Sequence, residues 1–203
     1  MISISIAEYL QTQPLSPETL LLAYRTGWFP MGEPDSADIY WHSPDPRAIF
    51  PLDGVKISRS LRQTINKGHF EFRFDTAFED VIRACADRPE SWITEDIIAS
   101  YCALHYNGWA HSVETWHEGV LVGGLYGVAV GGAYFGESMF STMRDASKAA
   151  FAVLTEHLRD RNFLLLDSQY INPFTQSLGA IEISREHYLE LLGRAVVAHC
   201  IFK

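Results

Sequence analysis

Sulfur is scarce in this chain, and the little there is forms no pattern. Its three cysteines, Cys85, Cys102 and Cys200, are odd in number and nowhere spaced C-x-x-C, so neither a disulfide framework nor a zinc knuckle is expected and a reducing compartment fits. No apolar run approaches the length of a membrane span, and the opening MISISIAEYLQTQ has no basic leader; a cytoplasmic chain without membrane contact is the expectation. The sequence holds no P-loop, and its eight histidines include no H-E-x-x-H, which removes the usual nucleotide-hydrolase and zinc-peptidase readings. Gly123, Gly124 and Gly127 lie inside a strand-like run, where they make no dinucleotide fingerprint. Gly136-Glu137-Ser138 is no nucleophile elbow, because Phe140 stands where that turn needs a second small residue. No metal site and no tightly held organic cofactor is implied.

Positive charge is missing from one long stretch. Between Pro89 and Met143 there is no Lys or Arg, while six acids occur: Glu90, Glu95, Asp96, Glu114, Glu118 and Glu137. Lys56, Arg59, Arg62, Lys67 and Arg73 gather in the preceding segment, with Glu71 as the one acid among them. A net charge of −9 argues against a general nucleic-acid coat but leaves room for a local basic site. One basic and one acidic zone would suit an enzyme with two oppositely charged substrates; chance placement of surface charge is the competing reading for either zone alone.

What is present is globular. In 203 residues, 47% are hydrophobic and 20% charged, enough to bury a core in one large domain or two small ones. SPETLLLAYRTG predicts a helix capped by Ser16 and ended at Gly27, followed by an ordered Pro- and aromatic-rich loop from Trp28 to Pro51. ISRSLRQTINKG reads as a helix with Leu61 and Ile65 inward, and HFEFRFD as a half-buried strand. A helix from about Thr94 to Asn107-Gly108 comes next, then strands AHSVETW and VLVGGLYGVAV around a turn at His117-Glu118-Gly119 and a third strand ending in FGES. The helix DASKAAFAVLTEHLRDRN, the buried strand FLLLDSQ and the helix REHYLELLGRAV complete an α+β pattern.

Two short stretches carry candidate chemistry. In LLLDSQ the leucines commit the strand to the core, and Asp167 and Gln169 then project from one face at its end, where they could orient an attacking amine and relay its proton. Alternatively, Asp167 caps the following turn. The helix start RDASKA nearly fits the R/Q-x-x-G-x-G/A loop that holds the pyrophosphate of acyl-CoA on backbone amides, with Ser147 in place of Gly and Ala149 fitting.

At GWFPM, SPDPR, ISRS, SWIT, HSVETW, LVGGLYGV, GESMFS, ASK, DSQ and SLGA, in this order along nearly the whole chain, the sequence closely resembles the leucyl/phenylalanyl-tRNA–protein transferases. The resemblance implies a small amino-terminal α/β domain, here residues 1–60, and a GCN5-like N-acyltransferase (GNAT-like) catalytic domain, residues 61–203. It implies transfer of leucine or phenylalanine, with methionine as a further candidate donor, from aminoacyl-tRNA to the α-amino group of proteins beginning with Arg or Lys, which marks them for degradation. By the same resemblance Glu137, Asp167 and Gln169 are catalytic. Tyr24, Met31, Trp92 and Tyr134 form the aminoacyl pocket, and Arg59, Arg62 and Lys67 hold the tRNA acceptor end. The implied partners are leucyl- or phenylalanyl-tRNA and the acceptor protein, and a monomer is expected. Met31, Tyr134 and Phe174 stand where relatives carry Trp, Phe and His. Physically, Glu137 would hold the cationic amino terminus, whose charge offsets the cost of burying a carboxylate. The competing functions are an acyl-CoA-dependent N-acetyltransferase and a non-catalytic module that only binds tRNA or basic amino termini.

Overall fold

The computed structural model describes residues 4–33, 36 and 38–203. Helices begin where the sequence supplies a side-chain acceptor for the free N–H groups of the first turn. Ser5, Ser16, Ser58, Thr94 and Ser184 each accept from the backbone N–H three residues on. They open α1 (Ile6–Gln11), α2 (Pro17–Arg25), α3 (Arg59–Asn66), α5 (Glu95–Tyr106) and α8 (Arg185–Ala195), and Asn172 does the same for the short α7 (Pro173–Ser177). The helix α4 (Phe78–Ala86) starts behind Ala77 with no side-chain cap, and sequence reading passed it over.

The segment expected to be a loop from Trp28 to Pro51 instead contains β1 (Phe29–Gly32), β2 (Ile39–His42) and β3 (Arg47–Phe50). Each strand is four residues long and separated by turn residues, too short for alternation to show. β1 and β2 pair as a two-stranded ribbon. β3 lies inside the main sheet, so the first 60 residues contribute a strand to the same layer as the rest of the chain.

That sheet has seven strands in the order β4 (Glu71–Phe74), β5 (Ala110–His117), β6 (Val120–Val130), β7 (Ala133–Ser141), β8 (Leu165–Gln169), β3 and β9 (Ile181–Ile183). All neighbours are antiparallel except β7 and β8, which are parallel and joined over one face by α6 (Ala146–Asp160). This is the expected α+β class. Residues of α6 such as Phe151, Leu154 and Leu158 pack on one side of the sheet with Phe50, Leu125 and Leu166. Side chains of α2, α4, α5 and α8, including Tyr24, Val81, Tyr101 and Tyr188, fill the other side. Gly123 lets α6 begin directly on β6, since a Cβ there would meet the Ala146 Cβ at 2.6 Å.

β7 and β8 pair only through Ala133–Leu165, Tyr134–Leu166 and Phe135–Asp167. Beyond these pairs β7 continues beside β6 to Ser141 and β8 beside β3 to Gln169, so the sheet parts at its middle. Among the described residues, no helix is long and apolar enough to cross a membrane.

Candidate active site

A cleft of about 570 Å³ occupies the parting between β7 and β8. On both of its strands a bulge turns a polar side chain inward. Along β7, Gly136 pairs with Gly127 and Ser138 with Tyr126, which leaves Glu137 as the extra residue. Along β8, Asp167 pairs with Ile49 and Gln169 with Ala48, which leaves Ser168 extra and puts Gln169 at φ 63°. Across the gap the Gln169 amide donates to Glu137 Oε1 at 2.9 Å.

Glu137 is the half-buried carboxylate that the sequence singled out. The Tyr24 hydroxyl donates to its Oε1 at 2.7 Å and that of Tyr101 to its Oε2 at 3.3 Å, and the two hydroxyls also touch each other. Burial pushes Glu137 up from 4.5 to about 7; the hydrogen bonds from Tyr24 and Gln169 oppose this, and the nearby charge of Asp167 adds to it. Burial and the charge of Glu137 together hold both tyrosines well above their ordinary range, so they act here as neutral donors.

Asp167 borders the cleft, but its side chain is completely buried. It accepts from Arg47 Nε at 3.0 Å and Nη2 at 2.6 Å, from the Tyr188 hydroxyl at 2.6 Å and from the Gln169 backbone N–H at 2.8 Å. With four donors aimed at it, including a bidentate guanidinium, the carboxylate is fully occupied. The expected projection of Asp167 and Gln169 from one face is therefore corrected: the bulge separates the two directions, and Asp167 holds the Gln169 backbone while only the Gln169 side chain reaches the cleft. Arg47 is itself 1% exposed, donates to the Gly27 carbonyl at 3.1 Å and lies over the rings of Phe29 and Tyr188. Burial alone would lower its pKa, but Asp167 more than reverses this and raises it.

The four expected pocket residues divide. Met31 and Trp92 line the cleft. Tyr24 is fully buried behind Glu137 and meets it only through its hydroxyl. Tyr134 does not line the cleft. Strand alternation turns it to the α6 side, where it stacks on Phe202 with ring centroids 5.4 Å apart and donates to the His111 carbonyl at 3.2 Å. The apolar end of the cleft is made instead by Leu125, Met139, Phe151, Leu154 and Leu166. Met139 was hidden because the bulge at Glu137 reverses which β7 residues face α6, and the other four because they meet only when β6, α6 and β8 come together in the fold. Tyr101 had a visible signal, a polar tip within the buried stripe Ile97, Ile98, Tyr101 and Leu104 of α5.

Arg59, Arg62 and Lys67 are exposed on and just after α3. That helix seats Leu61 against Ala146 and Ala149 at the start of α6, and Ser147 between them lines the cleft. The expected anion-holding start of α6 is corrected by its hydrogen bonds. The Ala146 N–H donates to the Met143 carbonyl at 3.1 Å and the Ser147 N–H to Ser141 Oγ at 3.2 Å, while the acidic Asp145 occupies the cap at φ 66°. These amides are spent locally, with an acid beside them. Arg88, one residue before the stretch without basic residues, also lines the cleft. A larger cavity of about 830 Å³ around Asp75 and His111 includes none of the expected site residues.

The family model described as leucyl/phenylalanyl-tRNA protein transferase matches residues 49–193, and that of its N-terminal domain residues 13–45. The leucyl/phenylalanyl-tRNA–protein transferase of Gloeobacter violaceus is 52% identical over 93% of this chain and 98% of its own length. That of Herpetosiphon aurantiacus is 49% identical over 94% and 100%. A solved ribosomal-protein-alanine N-acetyltransferase from Brucella melitensis biovar Abortus overlaps 46% of this chain and 74% of its own at 15% identity, with a TM-score of 0.34, a likeness too slight to build on. With relatives of this identity spanning nearly the full length, and the matched region carrying both bulged strands and the carboxylate between them, the chain belongs to the leucyl/phenylalanyl-tRNA–protein transferase family.

Proposed function

We propose that the protein moves leucine or phenylalanine, with methionine as a further donor, from aminoacyl-tRNA to the α-amino group of proteins that begin with Arg or Lys. The observation that carries this reading is Glu137, a half-buried carboxylate whose pKa is pushed up to about 7 at the edge of a cleft with an apolar end. An α-ammonium with a pKa near ~8 can bind such a group by charge and lose a proton to it near neutral pH. The free amine then attacks the ester carbonyl carbon. The new C–N bond forms, the C–O bond to the terminal ribose breaks, the proton held by Glu137 passes to the departing ribose oxygen, and the second proton that the nitrogen sheds in becoming an amide is taken up by the freed Glu137 carboxylate and released to water.

Gln169 fixes the Glu137 carboxylate through its amide, and Asp167 acts through Gln169 rather than on the amine, since its own oxygens are occupied. Leu125, Met139, Phe151, Leu154 and Leu166 take the unbranched or aromatic donor side chain, with Met31 and Trp92 at the wider part. Arg59, Arg62 and Lys67 hold the phosphates of the tRNA acceptor end. Such an acceptor site leads us to place the product among proteins marked for degradation, and we take the working unit to be a cytoplasmic monomer, which sedimentation at working concentration tests.

The decisive assay offers labelled leucyl-tRNA and a peptide beginning with Arg, in parallel with acetyl-CoA and the same peptide. Leucyl transfer with no acetylation is expected, and Glu137→Gln should lower kcat by roughly 10²-fold. Acetylation from acetyl-CoA would replace the reading with the acetyltransferase one, and binding of both substrates without transfer would leave a binding module. The occupied amides at the start of α6 favour the tRNA donor over acyl-CoA.

A further inference from the structure

Tyr126 sits beside the β7 bulge, opposite Ser138 in the register, with its side chain completely buried. Its ring is held edge-on by Tyr101 at 5.7 Å and Phe78 at 5.8 Å, and it lines the cleft together with Glu137. Among the described residues, its hydroxyl is the only buried side-chain nitrogen or oxygen with no hydrogen-bond partner. The two neighbouring tyrosines, Tyr24 and Tyr101, both have Glu137 as partner.

A buried hydroxyl left unpaired is costly, and phenylalanine would fill the same space without that cost. A phenol retained there is explained by a partner that arrives with substrate. The hydroxyl has one hydrogen to donate and lone pairs to accept with, and burial and the charge of Glu137 keep it protonated. The apolar end of the cleft comes from residues that face α6, whereas Tyr126 and Glu137 share the opposite side of the sheet. The group that meets Tyr126 is therefore the one that meets Glu137.

Resting on the assignment of Glu137 to the acceptor, we infer that the Tyr126 hydroxyl is a second contact for the incoming amino terminus, its oxygen accepting one N–H while Glu137 receives another. Together the two groups fix the amine's direction as well as its position, which sets the line of its lone pair.

Tyr126→Phe tests this without disturbing shape. Calorimetric titration with an Arg-initiated peptide should show binding about tenfold weaker than wild type, and the KM for the peptide should rise by a similar factor. The KM for leucyl-tRNA should not move, and Tm should be equal to or above that of wild type. Unchanged peptide affinity overturns the inference, as does an effect confined to the KM for leucyl-tRNA. A lower Tm overturns it too, because the hydroxyl would then have a partner within the fold. Peptide binding that depends on Tyr126 in a wild-type protein unable to transfer leucine would sink the parent reading and leave this contact standing; no peptide binding by wild type sinks both.

Discussion

Arg47 and Asp167 are each completely enclosed, and each is the other's main compensation. Removing one leaves a buried charge unpaired, so Arg47→Ala should destabilise the fold by about 3–5 kcal/mol, read as a lower midpoint in urea. Glu137 has a different character, because among the described residues it has no buried cation as partner and burial holds its carboxyl above its ordinary value. The folded state binds its proton more tightly than the unfolded chain, so this residue's contribution to stability falls as pH rises from 4.5 to about 7 and stays reduced above that. Glu137→Gln should therefore match wild type below about pH 4 and exceed it by up to about 3 kcal/mol at pH 8. The same ionisation should make transfer by the wild type rise with pH through about 7; denaturation curves and rates across this range check both. At this scale the sequence was partly legible. A carboxylate within FGESMFS had no structural reason to be there and marked itself, whereas Arg47, heading the core strand RAIF, was a visible oddity whose partner lies 120 residues away.

The elements divide between those written locally and those set by pairing. Of the helices opened by a capping serine or threonine, α2, α3, α5 and α8 were readable while the short α1 was not; α4 has no side-chain cap and was passed over, whereas α6, equally uncapped, was legible from its length and apolar pattern. Neither bulge could be read, since register belongs to two strands at once; with it went the directions of Asp167 and Met139. The helix α3 carries its own prediction. Its Arg59 and the following Lys67 are exposed, while Leu61 anchors it to α6. Neutralising both cations should weaken aminoacyl-tRNA binding and make the log–log salt dependence shallower by about 1 to 2 units, with circular dichroism unchanged. An unaltered slope in filter-binding titrations would remove the donor from that surface.

For the molecule as a whole, the two faces of the sheet are closed differently. Four helices cover one side, whereas α6 covers much of the other and Phe202 plugs the rest. Phe202 stacks on His111 at 4.2 Å and His157 at 4.6 Å, and its carbonyl lies 2.6 Å from His157 Nε2. Phe202→Ala should cost about 3–5 kcal/mol, seen as a drop in Tm. The α+β class was legible from the order of elements, but this plug was not, because a lone aromatic carries no periodicity.

The carboxylate and the amide that steadies it ride on opposite halves of a layer stitched together by three residue pairs. A guest too broad for the greasy end would act as a wedge, prising those halves apart and pulling Gln169 off Glu137.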